Sequence, residues 1–297
     1  DNGVTVKITN YGGTVTSIVI PDREGNRHDI TCGFDPLEGY FGQAYKANSP
    51  YFGCLVGRYA LRIKDGTFTV DDRPYKVATN DGPNHLHGGI VGFDKRVWDA
   101  ECVEETDACA VRLALVSPDG EEGYPGTVKI EVQYRLTPDN ELRIRYRAQT
   151  DGATPLSLTN HTYFNLNGFS DKVLDHAVQI ESDRYLVSDE TNVPLGEQRS
   201  VSGTSCDFLS PKRLGDAFDE LPNGFEHYYV FAEPGGTVVK VATFSDDASG
   251  RSLEVHTSEP GMLFYTGRYT SDDLAREDGT RYGLGQTRMQ PARRQRK

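Results

Sequence analysis

Val128-Lys129-Ile130-Glu131-Val132-Gln133-Tyr134-Arg135-Leu136 is followed, after the turn Thr137-Pro138-Asp139-Asn140, by Leu142-Arg143-Ile144-Arg145-Tyr146. In both runs apolar and polar side chains alternate with a period of two, which sends every second residue to one face of a pleated strand. The proline and the Asp-Asn pair between them reverse the chain, so the two runs read as a long antiparallel hairpin. Residues 66–78, with Asp71-Asp72 at the tip, read as a second hairpin. Further strands are expected at 4–8, 14–20, 110–116, 177–180, 238–244, 253–257 and 262–266. Helical signal is thin. Pro211 stands at a plausible first turn before Leu214, Phe218 and Leu221, and residues 36–41 read as a short turn of helix. Strands recurring about every ten residues, punctuated by 31 glycines and 15 prolines, predict an all-β, large antiparallel β-sandwich rather than parallel βαβ units. No internal repeat or linker interrupts residues 1–285, which read as a single domain. Arg288, Arg293, Arg294, Arg296 and Lys297 mark residues 286–297 as a basic, frayed tail.

The 297 residues carry a formal net charge of -12. Such a field repels phosphate backbones and anionic lipid, so nucleic-acid and membrane-surface roles are disfavoured. A neutral small molecule fits. The five cysteines are odd in number and form no C-x-x-C pair, which predicts buried or half-buried thiols and a reducing, cytoplasmic compartment. No apolar run approaches 18 residues and no signal peptide is visible, although a start at Asp1 leaves room for a removed leader.

Two segments concentrate chemistry: Asn84-His85-Leu86-His87-Gly88-Gly89 and Thr159-Asn160-His161-Thr162-Tyr163-Phe164-Asn165-Leu166. Imidazole both donates and accepts protons near neutral pH, and aromatic rings pack on the apolar face of a sugar. In an extended segment His85 and His87 share a side, which is also how paired imidazoles reach a metal. A cupin-like barrel adds a glutamate soon afterwards, whereas residues 88–93 hold no acid; this argues against metal. A histidine satisfied by backbone carbonyls in a Gly-rich turn is the competing reading for His85. Alternation places His161, Tyr163 and Asn165 on one face and Phe164 and Leu166 on the other. Glu226, His227, Tyr228 and Tyr229 add a carboxylate and a third imidazole suited to gripping hydroxyls. Arg58 and Arg62 read equally as structural ion-pair partners or as site residues. There is no G-x-S-x-G elbow, phosphate-binding loop or dinucleotide fingerprint, which leaves cofactor-free proton transfer, with glycoside cleavage by an acid pair still open.

In order along the chain, Asn10-Tyr11-Gly12-Gly13, Tyr51-Phe52-Gly53 with Gly57-Arg58, Asn84 to Gly89, Asp119 to Gly126, Thr159 to Leu166, and Glu259-Pro260-Gly261 with Phe264-Tyr265-Thr266-Gly267 resemble the aldose 1-epimerase (galactose mutarotase) family over nearly the whole length. The resemblance implies a β-sandwich of the galactose mutarotase type that interconverts the α and β anomers of free aldoses such as glucose or galactose. A glutamate takes the C1 hydroxyl proton, a histidine protonates the ring oxygen, and the ring opens, rotates about C1–C2 and recloses. No cofactor or metal is implied. By motif His161 matches the acid and His87 the second imidazole near the ring oxygen; Arg62, His87, Tyr163 and Glu226 match sugar-binding positions. The expected partner is a monosaccharide, and the expected assembly a monomer or homodimer. The chain also departs from the family pattern. Leu61 stands where an asparagine is usual, Glu226 where an aspartate is, and Leu263 where a glutamine often is. Gly285-Gln286-Thr287-Arg288-Met289-Gln290-Pro291 contains no counterpart of the catalytic glutamate. The implied enzyme is accordingly an impaired one, and the alternative is a non-catalytic carbohydrate-binding member of the same fold.

Overall fold

A computed structural model describes residues 2–218, 221, 223–232 and 236–282. The basic tail and the glutamate-free stretch lie outside these residues. The chain divides into two compact units, one gathering Asp1–Val15 with Cys54–Asn160, the other Thr16–Gly53 with the chain from His161 onward.

The first unit is built on the hairpin that opens the sequence. Val128–Leu136 pairs with Leu142–Thr150 in full register from Val128↔Thr150 to Leu136↔Leu142. The turn closes where Thr137 N–H donates to Glu141 O at 3.0 Å and Asn140 takes a positive φ of 64°. Cys109–Ser117 and Asp99–Glu104 complete a four-stranded antiparallel sheet. Its alternation resolves into two faces: Leu113, Leu115, Val128, Ile130, Val132 and Tyr134 are buried, while Arg143, Arg145 and Arg147 are exposed. The second predicted hairpin is Thr67–Val70 with Arg73–Lys76, and both tip aspartates adopt positive φ, as a two-residue turn between twisted strands requires.

The second unit holds two four-stranded antiparallel sheets. One runs Lys212–Arg213, Ala177–Ile180, Val239–Asp246, Arg251–Thr257; the other runs Pro194–Ser200, Arg184–Ser188, Glu226–Val230, Gly261–Tyr265. They meet through Phe244 of one and Phe264 of the other, with ring centroids 5.8 Å apart, and Phe208 and Phe225 extend this aromatic core. Such a layer of interdigitated rings removes large apolar areas from water and carries most of the unit's stabilisation.

The fold is all-β, with two short α-helices, Gln43–Asn48 and Leu214–Phe218, among the described residues. The expected turn of helix at 36–41 is a 3-10 turn, Leu37–Phe41. Gln43–Asn48, Asp99–Glu104, Arg184–Ser188 and Pro194–Ser200 carry no clear alternation and were not anticipated. None of the five cysteines forms a disulfide; Cys32, Cys54 and Cys206 are buried as expected, but Cys102 and Cys109 are exposed on paired strands. No helix among the described residues is long and apolar enough to cross a membrane.

Candidate sugar-binding and catalytic residues

In the first unit His87 ends a two-stranded ladder in which Arg62 pairs with Leu86 and Ile63 with His85. Strand geometry stops there. His87, Gly88 and Gly89 have φ values of 53°, 88° and 111°, so the chain turns sharply away. A Cβ on Gly88 would stand 1.8 Å from Gly57 O, which makes glycine obligatory at this point. Asn80 holds the turn from outside: its amide nitrogen donates to Leu86 O and Gly89 O, and its oxygen accepts from Leu86 N–H.

His85 and His87 therefore do not act as a pair. His85 is buried, with Nδ1 2.7 Å from Ala78 O and Nε2 2.6 Å from the Tyr124 hydroxyl; burial lowers its pKa. That is the structural reading of this residue. His87 instead faces the backbone of Leu61, which accepts from His87 N–H at 3.1 Å and donates its own N–H to His87 Nδ1 at 3.2 Å. An Nδ1 that accepts a hydrogen bond carries no proton, so in neutral His87 the proton sits on Nε2, and the ring presents a donor. Beside it, Arg62 is almost buried, and its Nε donates to Asp81 Oδ2 at 2.6 Å. Asp81, which holds Arg62, was not among the residues singled out from the sequence, because nothing in its immediate neighbours marks it.

The other candidate arginine has a structural role. Arg58 is 2% exposed, and its guanidinium donates to Ser117 O, Pro118 O, Pro125 O and Gly126 O at 2.8–3.1 Å. Five N–H donors in a fixed fork suit such a ring of carbonyls.

In the second unit His161 follows the short strand Thr159–Asn160, and its carbonyl accepts from Gly53 N–H at 3.0 Å. The ring lies 5.6 Å from that of Tyr51 and 5.1 Å from that of Tyr163, and Tyr163 continues the aromatic wall to Phe52 and Tyr265. Complete burial pushes the His161 pKa down to about 3, so the imidazole is neutral at pH 7. The expected two-faced strand is absent from 161–166: His161, Tyr163, Asn165 and Leu166 are all buried. Asn165 closes a turn by donating to Asp171 O at 2.8 Å. The segment leaves its strand after two residues, and period-two logic fails with it.

Glu226 opens the strand Glu226–Val230, opposite Tyr265. Its carboxylate is mostly buried and pairs with Arg268, Nη2 to Oε2 at 2.9 Å. His227, next to it, packs edge-to-face on Tyr185, and burial together with the nearby Arg268 charge pushes its pKa down to about 4. Arg268 was missed by sequence reasoning, although it directly follows the Phe264 to Gly267 motif; a cation at that point was the available signal. Leu263 pairs with Tyr228 in the neighbouring register position.

A family model for aldose 1-epimerase matches residues 1–284. The chain belongs to the aldose 1-epimerase family. It is 44% identical to a galactose mutarotase of Bos taurus over 281 residues, covering 93% of this chain and 78% of that protein. With an aldose 1-epimerase of Escherichia coli it shares 37% identity over 273 residues, covering 90% and 76% respectively. A galactose 1-epimerase from Lactobacillus acidophilus superposes with a TM-score of 0.84 at 29% identity, covering 99% of this chain and 83% of that one. An aldose epimerase homologue from C. elegans gives the same TM-score and identity, at 98% and 86% coverage. The fold of this aldose 1-epimerase family member is thus that of the galactose epimerases.

Proposed function

We propose that this protein is an aldose 1-epimerase that interconverts the α and β anomers of free aldoses such as galactose or glucose. The observation that carries this reading is its 44% identity, across 93% of the chain, to a protein named galactose mutarotase. In the proposed reaction His161, protonated in the sugar complex, delivers its proton to the ring oxygen while water takes the proton of the C1 hydroxyl, and His87, through Nε2–H, hydrogen-bonds near the ring oxygen. The C1–O5 bond breaks as these two protons move, the aldehyde end rotates about C1–C2, and reclosure returns one proton to the C1 oxygen and one to His161. Arg62, His87, Tyr163 and Glu226 bind the sugar. The tautomer of His87 supports a donor role, and the burial of His161 between Tyr51 and Tyr163 supports an imidazole that exchanges a proton with a ligand in contact.

The absence of a carboxylate from Gly285 to Pro291 favours a second reading, a carbohydrate-binding member that turns sugar over slowly or not at all. Losing a general base commonly costs about 10²- to 10⁴-fold in rate. Polarimetry of freshly dissolved α-galactose decides between them. Rotation decaying faster than in buffer alone, and not with His161→Ala, supports the epimerase; decay at the buffer rate with sugar binding by calorimetry supports the binding protein. Decay at the buffer rate without binding overturns both. We further propose a cytoplasmic location, consistent with five cysteines outside disulfides. The assembly we propose is a monomer or homodimer without nucleic-acid partners, in keeping with the acidic charge.

A further inference from the structure

The second unit contains a cavity of about 480 Å³, within the range of about 300–1,000 Å³ that ligand sites occupy. Glu226, His227 and Arg268 line it together with Tyr185, Asn192 and Asn223. Two features of its wall call for a ligand. Arg268 Nε and His227 Nδ1 are both sealed from solvent and have no hydrogen-bond partner among the described residues. Buried nitrogen atoms are rarely left this way, because the lost hydration goes uncompensated.

The wall is also rigid. The Glu226↔Tyr265 register brings Arg268, three residues beyond Tyr265, alongside the carboxylate. Its guanidinium lies over the Tyr269 ring at 4.5 Å, and Nη2 reaches Asn192 Oδ1 at 3.4 Å as well as Glu226. Tyr185 and Phe225 fix the His227 ring from two sides, at 5.4 and 5.7 Å between centroids. Acceptor and donors are thus held side by side, Glu226 supplying carboxylate lone pairs and Arg268 a fork of N–H groups. A hydroxyl donates once and accepts through its lone pairs, so neighbouring hydroxyls of a pyranose match this arrangement.

We infer that Arg268 and His227 are sugar-contacting, specificity-determining residues, and that the pocket they share with Glu226 takes hydroxyls of the aldose that do not react. This rests on the reading of Glu226 as a sugar-binding carboxylate. Glu226 alone would accept hydrogen bonds from any hydroxyl within reach. Paired with the stacked guanidinium, it keeps only the lone pairs that Arg268 leaves open, so the pair selects by hydroxyl position.

The test is calorimetric titration of the full chain with D-galactose and its 2-, 3-, 4- and 6-deoxy analogues, which reads binding whatever the turnover rate. Arg268→Ala is expected to weaken galactose binding about 10- to 100-fold. At least one deoxy analogue that binds wild type more weakly than galactose should bind Arg268→Ala as well as galactose does. Arg268→Lys, a point charge without the fork, should not restore that discrimination. His227→Gln should weaken binding by a smaller factor. Galactose binding to Arg268→Ala within twofold of wild type, or identical deoxy penalties in both proteins, would overturn the inference. Glu226→Ala separates the two readings. If it binds galactose like wild type while Arg268→Ala does not, the role of Glu226 falls and that of Arg268 stands; the opposite result removes Arg268 alone.

Discussion

Taking the protein from pH 7 to pH 5 should remove about 6 kcal/mol of its folding stability, because three histidines are buried in the neutral form. Burial pushes His161 down to about 3, and His176 and His227 each to about 4. In the unfolded chain the same groups titrate near 6.5. As pH falls below that value the unfolded state gains protons that the folded state refuses. Stability is therefore fully present above about 6.5 and is lost progressively down toward the folded values. At pH 5 each residue contributes about 2 kcal/mol of destabilisation, since 1.36 kcal/mol accompanies each pH unit between the unfolded pKa and the solution pH. His85, also depressed by burial, acts in the same direction. Carboxylates do not confuse this window. Asp151, Glu254 and Asp278 are lowered below ordinary carboxylate values by their hydrogen bonds and lose stability only at more acidic pH. Asp94, raised by burial, works in the opposite sense as a single group.

The assay is urea unfolding followed by fluorescence at pH 7, 6 and 5, with the slope against urea held as a control on the denatured state. A globular chain commonly has about 5–15 kcal/mol in total, so the midpoint should move a long way. His227→Gln should flatten the profile by about a third, as one of three comparable groups is removed. A loss smaller than about 2 kcal/mol, the share of one histidine, would refute the reasoning. It would mean that water reaches these rings in the native state.

The free protein's kcat/KM should show no limb from His161 between pH 5 and 8, since its imidazole stays neutral throughout that range; a clear inflection near 6.5 that His161→Ala removes would contradict the burial argument. Nitrogen-15 shifts should report His87 as the Nε2–H tautomer at pH 7, with Nδ1 unprotonated, because Leu61 N–H points at it. Asp81→Asn should raise the KM for galactose about tenfold with kcat nearly unchanged, by freeing Arg62; an unchanged KM would remove Arg62 from the sugar site. Arg58→Met should cost about 3 kcal/mol or more in urea unfolding, since it strands the carbonyls of Ser117, Pro118, Pro125 and Gly126 in the interior.

How far the fold was legible depended on amphipathicity. Val128–Leu136 and Cys109–Ser117 bury one face and wet the other, so their alternation survives in the sequence. Pro194–Ser200 is exposed almost throughout, and a strand with no buried face leaves no period to detect. Of the proposed site residues, His87, His161 and Glu226 stand in motif segments. Arg268 reaches Glu226, and Asp81 reaches Arg62, from elsewhere in the chain: Arg268 lies 42 positions beyond Glu226 and meets it through a strand register. Spacing along a chain carries no information about such partners. Asn165 shows the reverse error, a polar residue inside a motif whose density of amides serves a turn.

The departures from the family pattern become intelligible once main-chain and side-chain contributions are separated. At residue 61 the group that meets His87 is the peptide, accepting on one side and donating on the other, so leucine preserves the imidazole's tautomer. At residue 226 the acid itself is retained with one extra methylene, and the longer arm meets a guanidinium at 2.9 Å. One change therefore keeps the main-chain contact in the first unit, and the other comes with a cation beside the acid in the second. On the sugar-binding role proposed for Glu226, an acid that shares its lone pairs with Arg268 would accept from fewer hydroxyls than a free carboxylate, and selection among aldoses would follow from that pairing.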